Sequence, residues 1–116
     1  MAWFYFIQNN SGGSFDHEES QGIGYGLFIE ADSADEACVR AESIGLYFDG
    51  CDDGVDCDCC GDRWSRPWRE KGDCEPTMYG DKYRPINEGE APELVWGIPL
   101  YIHPVDGNFS KAIKVT

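Results

Sequence analysis

The segment DCDCCGDRW at residues 56–64 constrains the fold of this chain more than any other feature. It contains two cysteines, Cys57 and Cys60, that lie three positions apart, and Gly61 follows the second one directly. Two thiolates at this spacing can bind one Zn²⁺ from a tight turn, because glycine permits the positive φ that such a turn needs. The sequence therefore predicts a structural zinc site in which Cys57 and Cys60 are two of the ligands.

The other two zinc ligands are less clearly marked, because the chain has no second C-x-x-C pair. We predict Cys51 and Cys74 as the residues that complete a Cys₄ site. The alternatives for either position are Cys59, His17 and His103.

The six cysteines would also allow three disulfides. However, the first residues lack the basic start of an export signal, and a reducing cytosol favours thiols or metal over disulfides. The sequence also has no apolar run of the length that a membrane span requires. These features predict a cytoplasmic protein with no membrane association.

The chain is strongly acidic, with 22 Asp and Glu residues against 9 Lys and Arg residues and a net charge of -13. Binding to a phosphate backbone depends on Lys and Arg, so this balance argues against direct nucleic-acid binding. A basic protein or a cation is the better electrostatic match for the surface.

One short segment departs from this acidic trend, since residues 62–71 contain four basic and two acidic residues interleaved with tryptophan. Guanidinium groups bind phosphate through fixed donors, and an indole offers a flat face to a base, so the segment is a candidate site for a nucleotide-like ligand. The alternative is that the tryptophans cover a small core while the arginines neutralise the neighbouring acidic loop. The predicted ligand-binding residues are Arg63, Trp64, Arg66, Trp68 and Arg69.

Hydrophobic periodicity predicts an α+β fold in which one helix packs on an antiparallel sheet of about four strands. Residues 2–8 and 23–30 read as an antiparallel pair of strands, and we expect the first of them at the centre of the sheet. Ser33 and Glu36 have the spacing of a capping box, which predicts that a helix begins after Ser33. Gly45 is a stop signal that predicts where this helix ends.

A long segment separates this helix from two further strands, which we expect at about 93–103 and 109–115 with a hairpin turn between them. Residues 48–90 are rich in Gly, Asp, Pro and Cys and show no sustained period. A structureless loop of this length needs a crosslink, and a metal supplies one. The chain is thus predicted to form a single domain, 1–116, with a Cys-rich, zinc-binding insertion.

No catalytic motif stands out, since the chain has no nucleophile elbow, P-loop or Rossmann glycine pattern. A zinc ion held by four protein ligands also has no open position for a reacting water. The sequence therefore favours a binding protein over an enzyme. The alternative is a small metal-dependent nucleotide hydrolase, which would need an incompletely ligated metal beside carboxylates.

Residues 47–50 and 56–64, placed after an Ala-rich helix at 31–45, resemble a group of small bacteriophage proteins of unassigned function. The likeness covers roughly the first 64 residues and, less clearly, the closing strand pair. It implies no activity for named residues, but it implies an accessory factor that acts on a host component. The resulting expectation is a phage protein in the host cytosol that counteracts a host defence factor, either by sequestering a nucleotide-like ligand or by occupying a basic surface of a host protein.

Overall fold

The computed structural model describes residues 1–9, 15, 17–48, 63–65, 67 and 72–115. Within these ranges it has seven strands, which are β1 (Ala2–Ile7), β2 (Gly26–Ala31), β3 (Thr77–Met78), β4 (Asp81–Pro85), β5 (Leu94–Val95), β6 (Ile98–His103) and β7 (Ser110–Lys114). A 3₁₀ turn at Glu19–Gln21 precedes β2, and one α-helix, α1 (Ala34–Ile44), follows β2.

The strands form one mixed sheet in the order β1-β2-β6-β7-β4-β3, and the short β5 pairs with the start of β6. β2 and β6 are parallel, whereas the other neighbouring strands are antiparallel. The sheet curls until its two ends meet, because Trp3 of β1 and Asp73 before β3 exchange two backbone hydrogen bonds of 2.8 and 2.9 Å. The sheet is therefore nearly closed on itself.

This architecture shows that the predicted α+β fold with a four-stranded antiparallel sheet is wrong. The protein is mostly β, with seven described strands in a mixed sheet and one short helix. β1 lies at one end of the strand order rather than at its centre. β2 lies between β1 and β6, and its side chains are buried on both faces except at the half-buried Glu30.

Two of the additional strands, β3 and β4, lie in segment 48–90, where the sequence shows no periodicity. The sequence of β4 is DKYRP, and its one buried side chain is Tyr83. Strand pairing there depends on backbone hydrogen bonds with a distant β7, which a local apolar pattern does not reveal. The missed strands explain why the sheet was predicted too small.

Helix α1 forms as the sequence predicts. Ser33 is its N-cap, and the Ser33 hydroxyl accepts a hydrogen bond of 3.1 Å from the backbone N–H of Glu36. Gly45 ends the helix with a φ of +121°. The fully buried Ala37 and Ala41 face the core, and their small side chains let α1 lie close to the sheet. No helix among the described residues has the length and apolarity that a membrane crossing needs.

The two faces of the sheet carry separate cores, because successive side chains of a strand point to opposite faces. The face that α1 covers is called the helix face, and its core includes Phe4, Phe6, Leu27, Ile29, Trp64 and Tyr101. The opposite face lies inside the curl and is called the inner face. Its core consists of Phe28, Met78, Tyr83, Leu100, Ile102 and Ala112.

Candidate functional site

Trp64, one of the predicted ligand-binding residues, lies in the core of the helix face with 1% of its surface exposed. Its backbone forms an isolated antiparallel bridge with Gln8, directly after β1. The indole therefore packs inside the protein and does not present an open face to solvent. This placement corresponds to the alternative in which the tryptophans cover a core.

Arg63 is also buried, with 8% of its surface exposed. Its Nε donates a hydrogen bond of 3.2 Å to the Tyr47 hydroxyl, and its Nη1 donates one of 3.2 Å to Oε1 of Gln8. The Gln8 amide in turn donates a hydrogen bond of 2.7 Å to the carbonyl oxygen of Gly24. The guanidinium thus stabilises a buried polar network that connects β1 with its neighbours. The other predicted ligand-binding residues, Arg66, Trp68 and Arg69, lie outside the described residues.

The predicted zinc ligands fall mostly outside the part of the chain that the structure describes. This is the case for Cys51, Cys57 and Cys60, whereas Cys74 is exposed in the turn before β3. Among the described residues, no group of three or more His, Cys, Asp or Glu side chains has a metal-holding arrangement. The zinc site therefore stays a prediction.

The two histidines proposed as alternative ligands contact other groups. The His17 Nε2 lies 3.1 Å from the Tyr101 hydroxyl. His103 is 6% exposed, and its Nε2 donates a hydrogen bond of 2.7 Å to the carbonyl oxygen of Gly22. Both histidines thus contact other groups within the described part of the chain.

The structure reveals an aromatic groove on the inner face, near the end of β1 and the start of β2. Three adjoining cavities of about 430, 340 and 240 Å³ form it. They are continuous because the first shares lining residues with each of the others. The aromatic residues of the groove are Tyr5, Phe15, Tyr25, Tyr79 and Trp96.

Two tight hairpin turns supply the exposed rings of this aromatic groove. Tyr79 and Gly80 join β3 to β4, with φ of +52° and +81°. Trp96 and Gly97 join β5 to β6, with φ of +55° and +78°. Positive φ at both central residues is the requirement of a type I′ turn, whose first position normally holds Asn, Asp or Gly. Tyr79 and Trp96 are each 79% exposed.

The groove has few charges. Of its described lining residues, Asp73 is the one that carries a charge, and Gln8, Asn9, Ser65 and Thr77 supply polar groups. The rings are partly paired with one another, since Tyr5 and Tyr79 have centroids 6.1 Å apart and Phe15 and Tyr25 have centroids 5.4 Å apart. This arrangement suits contact with apolar or cationic groups rather than with phosphate.

A second cavity of about 610 Å³, called the β4 cavity, lies toward the other end of the curled sheet. Its apolar lining includes Trp3, Tyr83 and Ile102, and its charged lining residues are Glu75, Lys82 and Arg84. Burial, together with nearby carboxylates, raises the pKa of Tyr83 above its ordinary value, so the phenol stays neutral.

Each basic side chain that lines the β4 cavity forms an ion pair with a carboxylate. The Lys82 Nζ lies 3.0 Å from Oε2 of Glu75. Arg84 donates two parallel hydrogen bonds, of 2.8 Å from Nη1 to Oε1 and of 2.6 Å from Nη2 to Oε2, to the carboxylate of Glu90. The Arg84 guanidinium and the Asn87 backbone N–H lower the pKa of Glu90 to about 2.

Residues 1–115 match a family described as a domain of unknown function, DUF7296. The chain belongs to this family. No curated protein and no solved structure matches the chain. The description of the DUF7296 family names no ligand or activity, so the two sites above are the starting point for its function.

Sequence reasoning missed the aromatic groove, although a signal for it exists. Tyr79-Gly80 and Trp96-Gly97 are both aromatic–glycine pairs between short segments that form strands. Asn-Gly is the familiar hairpin signal, and an aromatic residue in its place is not read as a turn. The groove also joins residues from distant parts of the chain, which only the closed sheet brings together.

Proposed function

We propose that this DUF7296 protein is a non-catalytic binding protein whose aromatic groove holds an extended, proline-containing and basic segment of a partner protein. The observation that carries this proposal is the placement of Tyr79 and Trp96. Each ring is 79% exposed at the tip of a hairpin, and each residue has a left-handed backbone.

The left-handed conformation is unfavourable for bulky residues, with a typical cost of about 1–3 kcal/mol for each residue. Exposure of a large aromatic ring to water adds a further cost, because the ring gives up hydrophobic burial. Asn at position 79 or 96 would avoid both costs. A contact outside the folded chain is a physical reason for keeping an aromatic side chain at each tip.

The shape of the groove favours an extended segment with a polyproline II conformation. Grooves between aromatic rings accept the ridges of such a segment, which is already ordered before binding. The edge of β1 that faces away from β2 is less suited to the addition of a partner strand, because Trp3 already pairs there with Asp73. A proline-containing segment needs no free strand edge.

Charge favours a basic partner. The protein has a net charge of -13, and no Lys or Arg lines the described part of the groove. Opposite charge speeds association and disfavours acidic competitors. The resemblance to small phage proteins further motivates the proposal that the partner is a host factor, which the protein would counteract by occupying its basic segment. The hydrolase alternative depends on a metal site among residues outside the described ones.

The proposal is tested with fluorescently labelled peptides in a polarisation assay. One peptide repeats proline and arginine, a second replaces arginine by glutamate, and a third replaces proline by glycine. We expect the first peptide to bind most tightly, and we expect Tyr79→Ser or Trp96→Ser to weaken its binding about tenfold. Val39→Ser is the matched control, because Val39 is 64% exposed on α1, away from the groove. Equal binding of all three peptides, or unchanged binding by both groove variants, would contradict the proposal.

A further inference from the structure

The β4 cavity has the composition of a small-molecule site, and it is separate from the aromatic groove. We propose that it binds a small molecule with a planar ring and a terminal carboxylate or phosphate, whose anionic group replaces the Glu90 carboxylate on Arg84. This second site goes beyond the peptide-binding function proposed above and does not depend on it.

The volume and lining of the cavity suit the planar part of such a molecule. Its volume of about 610 Å³ lies within the range of about 300–1,000 Å³ that is typical of ligand pockets. Trp3 and Tyr83 provide aromatic surface on two strands, and the buried Ile102 also lines the cavity. Such pockets bind mainly through apolar and aromatic contact and use a few polar groups for orientation.

Arg84 supplies the anion-binding group. Its guanidinium already holds one carboxylate in the two-bond geometry that arginine forms with carboxylate or phosphate. The Asn87 backbone N–H donates a third hydrogen bond, of 2.6 Å, to Oε1 of the same Glu90 carboxylate. Donors from two separate residues thus converge on one anionic group, and one of these residues, Arg84, lines the cavity.

Glu90 lies outside the strands, so release of its side chain from Arg84 breaks no strand pairing. It lies in the loop between β4 and β5, and its side chain is 29% exposed. The second cation, Lys82, is paired with Glu75 through side chains that are 62% and 58% exposed, and pairs of this kind contribute little to stability. The anionic group of an incoming molecule therefore replaces the Glu90 carboxylate on Arg84. The net gain in binding free energy comes from burial of the molecule's ring in the cavity.

The experiment measures heats of binding of four probes by calorimetry. Adenosine monophosphate and indole-3-acetate carry a ring with phosphate or carboxylate, and they distinguish these two anions. Adenosine carries the ring without the anionic group, and inorganic phosphate carries the anionic group without the ring. We expect at least one ring-bearing anion to bind more than tenfold more tightly than either partial probe.

Variants test the exchange with Glu90 directly. Glu90→Gln leaves a weaker occupant on Arg84, so we expect it to strengthen binding of the ring-bearing anion about tenfold, whereas Arg84→Gln should weaken it by at least as much. Lys82→Gln, at an exposed rim position, should weaken it less. Lys111→Gln is the matched control, since Lys111 is a cation of β7 that pairs with Glu19 and does not line the cavity.

Two outcomes would overturn this second site. One is the absence of heat with both ring-bearing anions in wild-type protein and in Glu90→Gln. The other is binding that Glu90→Gln and Arg84→Gln leave unchanged, which would place the ligand elsewhere. Trp96→Ser should leave binding of these anions intact, so failure here is distinguishable from failure of the peptide proposal.

Discussion

The His103 Nε2–H donates a hydrogen bond of 2.7 Å to the carbonyl oxygen of Gly22. This bond connects the last residue of β6 with the turn that precedes β2, over 81 positions of sequence. The Phe109 ring covers the imidazole, with ring centroids 5.2 Å apart. Because the carbonyl can only accept, the imidazole keeps its proton on Nε2 in the neutral form.

Stability should fall with decreasing pH near neutrality because of this histidine. Burial lowers the pKa of His103 below 6.5, and the charge of Arg40 also lowers it, while the bond to Gly22 partly opposes the change. Below about pH 6.5 the unfolded chain therefore binds more protons than the folded chain, so the free energy of unfolding decreases toward the folded pKa. Urea unfolding at about pH 7.5 and 5.5 measures this decrease.

His103→Gln is the control for this pH dependence, because it keeps an N–H donor and removes the titration. We expect the variant to lose part of the pH dependence in this window. Glu90 acts at lower pH, since stability from its lowered pKa is lost only as the pH falls from about 4.5 to about 2. An unchanged slope in the variant would show that other groups cause the pH dependence.

Gly22→Ala should destabilise the protein by steric overlap. Gly22 has a φ of +70°, and a Cβ there would lie 2.7 Å from both His103 Cε1 and Phe109 Cδ1. Gly89→Ala is a matched control, because Gly89 has a φ of +86° with nothing within 4 Å of the added Cβ. Both variants share the backbone penalty, and we expect Gly22→Ala to lower the free energy of unfolding by about 1–3 kcal/mol more. Equal values would show that the two rings move aside freely.

Local sequence signals predicted a substantial part of the fold. Helix α1 has its expected caps at Ser33 and Gly45, and β1 and β2 form the expected antiparallel pair. The hairpin of β6 and β7 around residues 104–109 is also confirmed. The helix caps and the β6–β7 turn depend on residues close together in sequence, and β1 and β2 each show their own local apolar pattern.

The features that sequence reasoning missed depend on distant pairing. The parallel pairing of β2 with β6 joins residues more than 70 positions apart, as in Leu27 with Tyr101, and it places β2 between β1 and β6. Trp64 looked like part of a surface patch because its neighbours are charged, yet pairing with Gln8 carries it into the core. Local composition describes a residue's neighbours in the chain, whereas burial depends on its neighbours in space.

The zinc prediction is tested by metal analysis of the purified protein. The spacing of Cys57 and Cys60 predicts about one Zn²⁺ per chain. Cys57→Ser or Cys60→Ser should remove the metal and lower the thermal midpoint, as should a chelator, because metal binding contributes directly to folding free energy. Cys38→Ser is the control, since Cys38 packs against the helix-face core and should keep the metal. Metal-free protein with three disulfides would contradict the prediction.

The hairpin tips should show a trade-off between stability and binding. Asn adopts the left-handed conformation more easily than Tyr or Trp, so Tyr79→Asn and Trp96→Asn should each raise the free energy of unfolding by about 0.5–1 kcal/mol. The same variants remove the exposed rings and should weaken binding of the proline- and arginine-containing peptide about tenfold. Chemical unfolding and polarisation measure the two effects on the same samples. Variants that gain stability and keep full binding would show that the rings do not contact the partner, whereas variants that lose stability would show that the rings support the fold itself.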